Sequence, residues 1–131
     1  MPQESVELVR NSYEAFADGD LDRTFAILDP EIELDLSQRS LEPEIYHGHE
    51  GMREFLRVQR ETWSDTRVEA EEYIGVGGNV VVVPMRFVRT GRVSDIHIVA
   101  RAVWVWEFRN GLVIRITMYQ SRADALEAVR P

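Results

Sequence analysis

The chain contains no cysteine and no lysine, and each absence removes a class of chemistry. Without cysteine there is no thiol nucleophile, no disulfide and no thiolate zinc site. Without lysine there is no Schiff-base chemistry and no phosphate-binding loop that ends in a lysine. Long apolar runs are also missing, and the first residues lack the basic start of a signal peptide. We therefore expect a cytoplasmic protein with no membrane partner.

Positive charge is scarce, because 15 basic residues stand against 23 acidic ones and give a net charge of -8. Such a chain is repelled by phosphate backbones, so we expect no nucleic-acid partner. The sequence has 131 residues, of which 44% are hydrophobic. That length and composition suit one buried core, and we expect a single domain over residues 1–131.

Apolar residues in the first half of the chain recur at helical spacing. They predict a helix over residues 4–18 and a second, short helix that Asp20 caps and Pro30 ends. A third amphipathic pattern begins near Met52. Between the second and third helices, residues 31–37 alternate like a half-buried strand and residues 38–48 have the composition of a loop.

The apolar period changes to two after the third helix, which predicts four further strands over residues 68–76, 80–89, 96–108 and 112–119. The last two strands are joined by Asn110-Gly111. A two-residue loop would set Trp106 opposite Arg115, whereas a three-residue loop sets Trp106 opposite Ile114. We choose the three-residue loop because it keeps each face of the hairpin chemically uniform.

One face of this hairpin places small residues, Ala100 and Ala102, beside Trp104 and Trp106. Three short helices rarely fill the space over such a curved sheet, so we expect an internal cavity. The opposite face mixes valine with arginine, which is too apolar for full exposure and too polar for a core. We expect it to form a homodimer interface through the outer face of the sheet.

Four segments carry a resemblance to a known family: Gly19-Asp20-Leu21-Asp22, Asp29-Pro30-Glu31-Ile32-Glu33, Tyr46-His47-Gly48-His49-Glu50-Gly51 and Trp106-Glu107-Phe108-Arg109-Asn110-Gly111. In this order, they make the chain resemble the nuclear transport factor 2-like superfamily, and its SnoaL-like branch in particular. The resemblance implies an α+β fold, in which a cone-shaped, strongly curved mixed or antiparallel sheet wraps around the N-terminal helices as in the cystatin-like roll. It also implies a ligand inside the cone.

The superfamily includes ketosteroid isomerase, polyketide cyclases, limonene epoxide hydrolase and scytalone dehydratase. The tyrosine and the two aspartates of ketosteroid isomerase fall on Ser12, Leu36 and Trp104 of this chain. The catalytic positions are therefore not retained, and the fold by itself assigns no activity.

Arg86 is the leading candidate for a functional side chain. It lies in a strand that is apolar on both faces, and the resemblance directs its face into the cone. A buried guanidinium there would bind an anion or a carbonyl oxygen. The alternative is a structural ion pair with an internal carboxylate such as Asp35 or Glu72.

Three further residues are candidates for proton transfer. Tyr13 has an inward ring whose hydroxyl needs a partner, Asp35 is a reserve base, and His47 is an acid or base at the pocket rim. The His47-Gly48-His49 spacing could hold a metal, but apart from Glu50 no acid or third histidine stands at an obvious ligand spacing. We therefore expect no metal and no cofactor.

Two functions remain open at this point. The first is an isomerase, cyclase or hydrolase acting on a small, mostly apolar molecule in the internal cavity. The second is a non-catalytic ligand-binding or dimerisation module on the same scaffold. In either case the expected lining residues of the pocket are Leu36, Phe55, Gln59, Trp63, Val88, Ala102, Trp104, Ile116 and Met118.

Overall fold

The computed structural model describes residues 2–38, 43–91 and 97–130, without the side chains of residues 2 and 63–65. The helices and strands follow one another as α1 (Pro2–Ala17), α2 (Leu21–Phe25), β1 (Leu28–Asp35), β2 (Ile45–His47), α3 (Gly48–Thr62), β3 (Trp63–Ala70), β4 (Ile74–Val76), β5 (Val80–Gly91), β6 (His97–Arg109), β7 (Leu112–Tyr119) and α4 (Arg122–Ala128).

The strands form one seven-stranded sheet in the order β2-β1-β7-β6-β5-β3, with β4 also paired to β5. Strands β1 and β7 are parallel, and the other pairs are antiparallel. The sheet is therefore mixed. It is also curved and unclosed, with helices packed against it, so the predicted α+β fold is confirmed.

The main core lies on the inner face of the sheet, toward α1, α2 and α3. Val81 pairs with Trp106 across β5 and β6, and Val83 pairs with Trp104. Directly opposite residues of two paired strands point to the same face, so the odd-numbered residues of β5 point inward with the tryptophans. Trp106 is 5% exposed, and Val81 and Val83 are fully buried.

The outer face is covered in part by α4. Ser121 caps this helix by accepting a hydrogen bond from the backbone N–H of Asp124 at 3.1 Å, as the sequence predicts. Ala125 then packs on Val82, Val103 and Val105 in a second, smaller core cluster. Farther along the same face the sheet is less covered, and Val99 is 59% exposed.

Three predicted boundaries are wrong. The second helix ends at Phe25, and β1 already begins at Leu28, so Pro30 lies within a strand. The predicted loop over 38–48 contains the edge strand β2. The predicted strand over 68–76 is two strands, β3 and β4, which pair with different parts of β5. Residues 71–73 between them carry the chain from one pairing to the next.

The predicted register of the last hairpin is also wrong. The turn is a two-residue loop in which Asn110 and Gly111 have φ of 54° and 80°, and Arg109 pairs with Leu112. A register shift between Glu107 and Phe108 then sets Trp106 opposite Ile116. This irregularity restores the alternation, so both hairpin faces are uniform without the longer loop.

Candidate functional site

A pocket of about 290 Å³ lies between the first three helices and the inner face of the sheet. It draws side chains from α1, α2, α3, β1, β3, β5, β6 and β7. These are Ser12, Tyr13, Phe16, Leu21, Thr24, Phe25, Leu28, Met52, Phe55, Leu56, Gln59, Arg60, Thr66, Val68, Met85, Phe87, Arg89, Trp104, Trp106 and Ile116. Most are apolar or aromatic, as in pockets that take organic molecules.

Aromatic contacts join the helices to the sheet around this pocket. The ring centroids of Tyr13 in α1 and Trp106 in β6 are 5.5 Å apart. Those of Phe55 in α3 and Trp104 in β6 are 6.4 Å apart. Both separations are within the usual range for interacting aromatic pairs. The rings therefore anchor α1 and α3 to the same strand while the pocket stays open.

Tyr13 is a half-buried titratable group of the pocket wall. Its hydroxyl donates to the Sδ atom of Met85, 3.6 Å away, and sulfur is a weak acceptor. Burial raises the pKa of Tyr13 well above its ordinary value of 10.0, because the phenolate would be poorly solvated there. Tyr13 is therefore a phenol at neutral pH, and its hydroxyl is a hydrogen-bond donor rather than a base.

Two other lining residues carry a buried polar atom without a hydrogen-bond partner among the described residues. These atoms are Oε1 of Gln59 and Nε1 of Trp104. An unsatisfied buried polar group costs about 1–3 kcal/mol, so most native structures avoid it. Each of these atoms is therefore a point at which a bound molecule would supply a hydrogen bond.

The charged residues among those described in the lining are Arg60 and Arg89. The guanidinium carbon of Arg89 lies 4.6 Å from the ring centroid of Phe87, which is itself in the wall. Thr66 on β3 stands directly opposite Arg89 on β5. Within the described residues, no carboxylate and no histidine lines the pocket.

A family comparison assigns the fold. Residues 9–116 match the model of the SnoaL-like domain. The chain belongs to the SnoaL-like family. Its predicted membership of the nuclear transport factor 2-like (NTF2-like) superfamily is thereby confirmed.

Solved structures share this SnoaL-like fold. An NTF2-like protein of unknown function from Burkholderia pseudomallei is 25% identical, with a TM-score of 0.78 and a match covering 98% of each chain. TerC, co-crystallised with polyporic acid, is 23% identical, with a TM-score of 0.77 over 95% of this chain and 96% of that chain. A candidate SnoaL-like polyketide cyclase from Jannaschia sp. CCS1 is 19% identical, with a TM-score of 0.76 over 98% and 94%.

None of the proteins of curated function that were compared with the chain matches it. A SnoaL-like fold with polyketide cyclase-like neighbours nevertheless fits a protein that binds small molecules. No helix in the described ranges is both long and apolar enough to cross a membrane. The same ranges contain no group of three or more potential metal ligands from histidine, cysteine, aspartate and glutamate.

Arg86 of this SnoaL-like chain does not face the pocket, so its predicted orientation is wrong. It lies on the outer face of β5, opposite Glu69 on β3, with its side chain 39% exposed. Its Nη2 atom is 3.5 Å from Oε1 of Glu69. The alternative of a structural ion pair fits this geometry, with Glu69 in place of the predicted Asp35 or Glu72. An exposed pair of this kind contributes little to stability.

Asp35 and His47 are also outside the pocket. Oδ1 of Asp35 accepts hydrogen bonds from the backbone N–H and the hydroxyl of Ser37, at 2.9 and 2.6 Å, at the end of β1. His47 is exposed on the edge strand β2. His49 points elsewhere, because its Nε2 atom is 3.0 Å from the backbone oxygen of Leu28. Of the four candidate catalytic residues, Tyr13 is the one that the structure places in the pocket wall.

The expected lining residues separate into two groups. Phe55, Gln59, Trp104 and Ile116 line the pocket. Four others do not, because Leu36 is buried in the core, Ala102 and Met118 pack in the cluster around Met85 and Phe87, and Val88 is on the outer face. The side chain of Trp63 lies outside the described part of the chain.

Sequence reasoning missed the wall of the pocket that Met85, Phe87 and Arg89 form, and it also left out the lining residues of α2 and β3. On β5 the reason is that, in a strand that is apolar on both faces, alternation does not show which face is inward. One signal was available. Positions 85 and 87 carry methionine and phenylalanine, which suit the wall of a wide apolar pocket better than the proline, arginine and valine at positions 84, 86 and 88.

The raised pKa of Tyr13 predicts a loss of stability at alkaline pH. In the unfolded chain this tyrosine ionises near pH 10, whereas in the folded protein it keeps its proton. Its contribution is therefore fully present below about pH 10 and is lost as pH rises further, with a limiting slope of about 1.4 kcal/mol per pH unit. Urea denaturation between pH 9 and 11.5 measures this slope.

Tyr13→Phe should flatten that dependence relative to wild type. The pKa of Tyr73 and of Tyr119 is also raised by burial, and these tyrosines remain in the variant as a common background. Equal slopes in wild type and variant would show that Tyr13 ionises in the folded state as easily as in the unfolded state.

Proposed function

We propose that this SnoaL-like protein binds a small, mostly apolar molecule in the pocket between α1, α2, α3 and the sheet. The observation that carries the proposal is the pocket itself, about 290 Å³ in volume with a largely aromatic and aliphatic wall. Ligand pockets range over about 300–1,000 Å³, so this one is at the small end. A molecule of roughly two or three rings fits that size.

The polar atoms of the wall support a binding role in which the protein donates hydrogen bonds. The hydroxyl of Tyr13 donates its hydrogen bond to the sulfur of Met85, which is a weak acceptor. A ligand oxygen would be a stronger acceptor for the same hydroxyl. Nε1 of Trp104 is a buried donor without a partner among the described residues, and a ligand oxygen would relieve the cost of leaving it unpaired. The favoured ligand therefore has at least one oxygen on an apolar skeleton.

The same lining argues against proton abstraction as the main activity. An isomerase or cyclase that works through an enolate needs a base beside the reacting carbon. The described lining residues include no carboxylate and no histidine, and Tyr13 holds its proton. Of the two functions left open by the sequence, non-catalytic ligand binding is therefore the better supported. A catalytic role would rest on Tyr13 and Arg89 stabilising negative charge.

Titration of the protein with small ring compounds tests the proposal. Suitable probes are a neutral bicyclic ketone such as 1-tetralone and polyporic acid, the compound with which TerC was co-crystallised. We expect one-to-one binding with a negative heat-capacity change by calorimetry. At a ligand concentration about 100 times Kd, binding would stabilise the fold by about 2.7 kcal/mol, which raises Tm. The proposal is contradicted if neither probe gives heat or raises Tm up to its solubility limit.

A further inference from the structure

The polar side chains of the pocket are unevenly distributed. Gln59 and Arg60 lie in the last turns of α3, and the chain passes directly from α3 into β3, where Thr66 stands opposite Arg89 of β5. All four belong to the pocket lining. Arg60 and Arg89 thus enter the lining from neighbouring elements, since α3 contacts β3 and β3 pairs with β5. We call these four residues, which lie on the adjacent elements α3, β3 and β5, the cationic end of the pocket.

The guanidinium of Arg89 is held at the wall rather than extended into solvent. Phe87, two residues earlier on the same face of β5, is 7% exposed and lies 4.6 Å beneath the guanidinium carbon. Stacking of this kind uses the face of the guanidinium, whereas carboxylates bind at its edge. With five N–H donors, the group can bind a ligand oxygen and keep other contacts.

The positive charge of the pocket wall contrasts with the net negative charge of the chain. The protein carries a net charge of -8, and acidic residues outnumber basic ones. The described charged residues of the pocket wall are nevertheless both arginines. Because such a surface does not attract anions, a pocket that takes an anion needs cations within contact distance of it.

We infer that the ligand is an aromatic or alicyclic carboxylate whose anionic oxygens bind at the cationic end, with Arg89 as the main contact. This inference rests on the proposed small-molecule function and narrows it to a class. The ring system would lie against Phe55, Trp104 and Met85, and the carboxylate would meet the edge of the guanidinium. Arg89 would then determine specificity rather than catalyse a reaction.

A matched pair of ligands and a matched pair of variants test the inference. The ligands are 2-naphthoate and 2-naphthamide, which share their ring system and differ in charge. The variants are Arg89→Met, in the wall, and Arg86→Met, three residues earlier on the outer face and with the same change of charge. Methionine keeps an apolar stem over Phe87. Kd is measured by calorimetry, and folding is checked by circular dichroism.

We expect wild type and Arg86→Met to bind the carboxylate at least about tenfold more tightly than the amide. Arg89→Met should lose that preference and keep its affinity for the amide. If Arg89→Met does not fold, Arg89→Lys replaces it, and should lose part of the preference because an ammonium cannot bind a carboxylate through a planar fork.

Each other outcome overturns the inference in a recognisable way. Equal affinity of wild type for the two ligands removes the carboxylate preference but leaves the proposed pocket function standing. An equal loss in Arg86→Met and Arg89→Met assigns the effect to overall charge rather than to the pocket. Failure of both ligands, together with 1-tetralone, to bind wild type contradicts the proposed function itself.

Discussion

Phe87→Asp is expected to lower the free energy of unfolding by at least about 4 kcal/mol, or to prevent folding. Phe87 is 7% exposed, and it packs with Met85 and Ala102 on the inner face of the sheet. The substitution removes a buried ring, which for phenylalanine costs about 3–5 kcal/mol, and leaves a partly desolvated carboxylate in the wall that Arg89 offsets only in part. Urea denaturation followed by circular dichroism gives the difference in unfolding free energy.

Val88→Asp is the matched control, one residue along the same strand and on the opposite face. Val88 pairs with Val99, which is 59% exposed, so the new carboxylate reaches water. We expect a loss of less than about 1 kcal/mol. Equal losses for the two variants would contradict the assignment of the inward face of β5. The homodimer predicted on this outer face would bury position 88, so the variants are compared at a concentration at which sedimentation equilibrium shows the monomer.

Val68→Trp is expected to abolish ligand binding while the protein stays folded. Val68 is half-buried in the pocket wall and stands opposite Phe87. An indole at this position would occupy much of a space of about 290 Å³ without displacing the core around Ile32 and Leu34. Affinity for 1-tetralone or for 2-naphthoate should fall by at least about 100-fold, as measured by calorimetry.

The same substitution on the other face, Val88→Trp, controls for the added bulk. It should leave the Kd within about twofold of wild type, because Val88 does not line the pocket. Unchanged binding by Val68→Trp would show that the ligand is held elsewhere on the protein.

Much of the fold could be predicted from the sequence, because several segments carry patterns that one structure satisfies. The alternation from Ala100 to Phe108 identified the tryptophan face of β6, and Asn110-Gly111 located the last turn. The spacing of apolar residues before Gly19 identified α1. Patterns of this kind depend on residues that are close in sequence, so they can be recognised in a single sequence.

What could not be predicted depends on contacts between distant segments. The pairing of β5 with β6, in which Val83 is opposite Trp104, determines which side chains of β5 point inward. The sequence of a strand that is apolar on both faces does not predict that register. The same ambiguity assigned Arg86 to the pocket in place of Arg89. The irregularity between Glu107 and Phe108 could not be predicted either, because a regular two-residue loop gives mixed faces and nothing in the local sequence indicates the register shift that makes them uniform.

The parallel pairing of β1 with β7 has a consequence for how the protein is made. Leu34 of β1 lies beside Ile116 of β7. Strand β1 is synthesised early but cannot pair with β7 until almost the whole chain has been made. While the ribosome is still adding the residues between them, the apolar sides of α1, α2 and β1 have no sheet to cover them. Such long-range closure is slow and favours association of partly folded chains. Low temperature or a chaperone during expression should therefore raise the yield of this protein more than a change of buffer after purification.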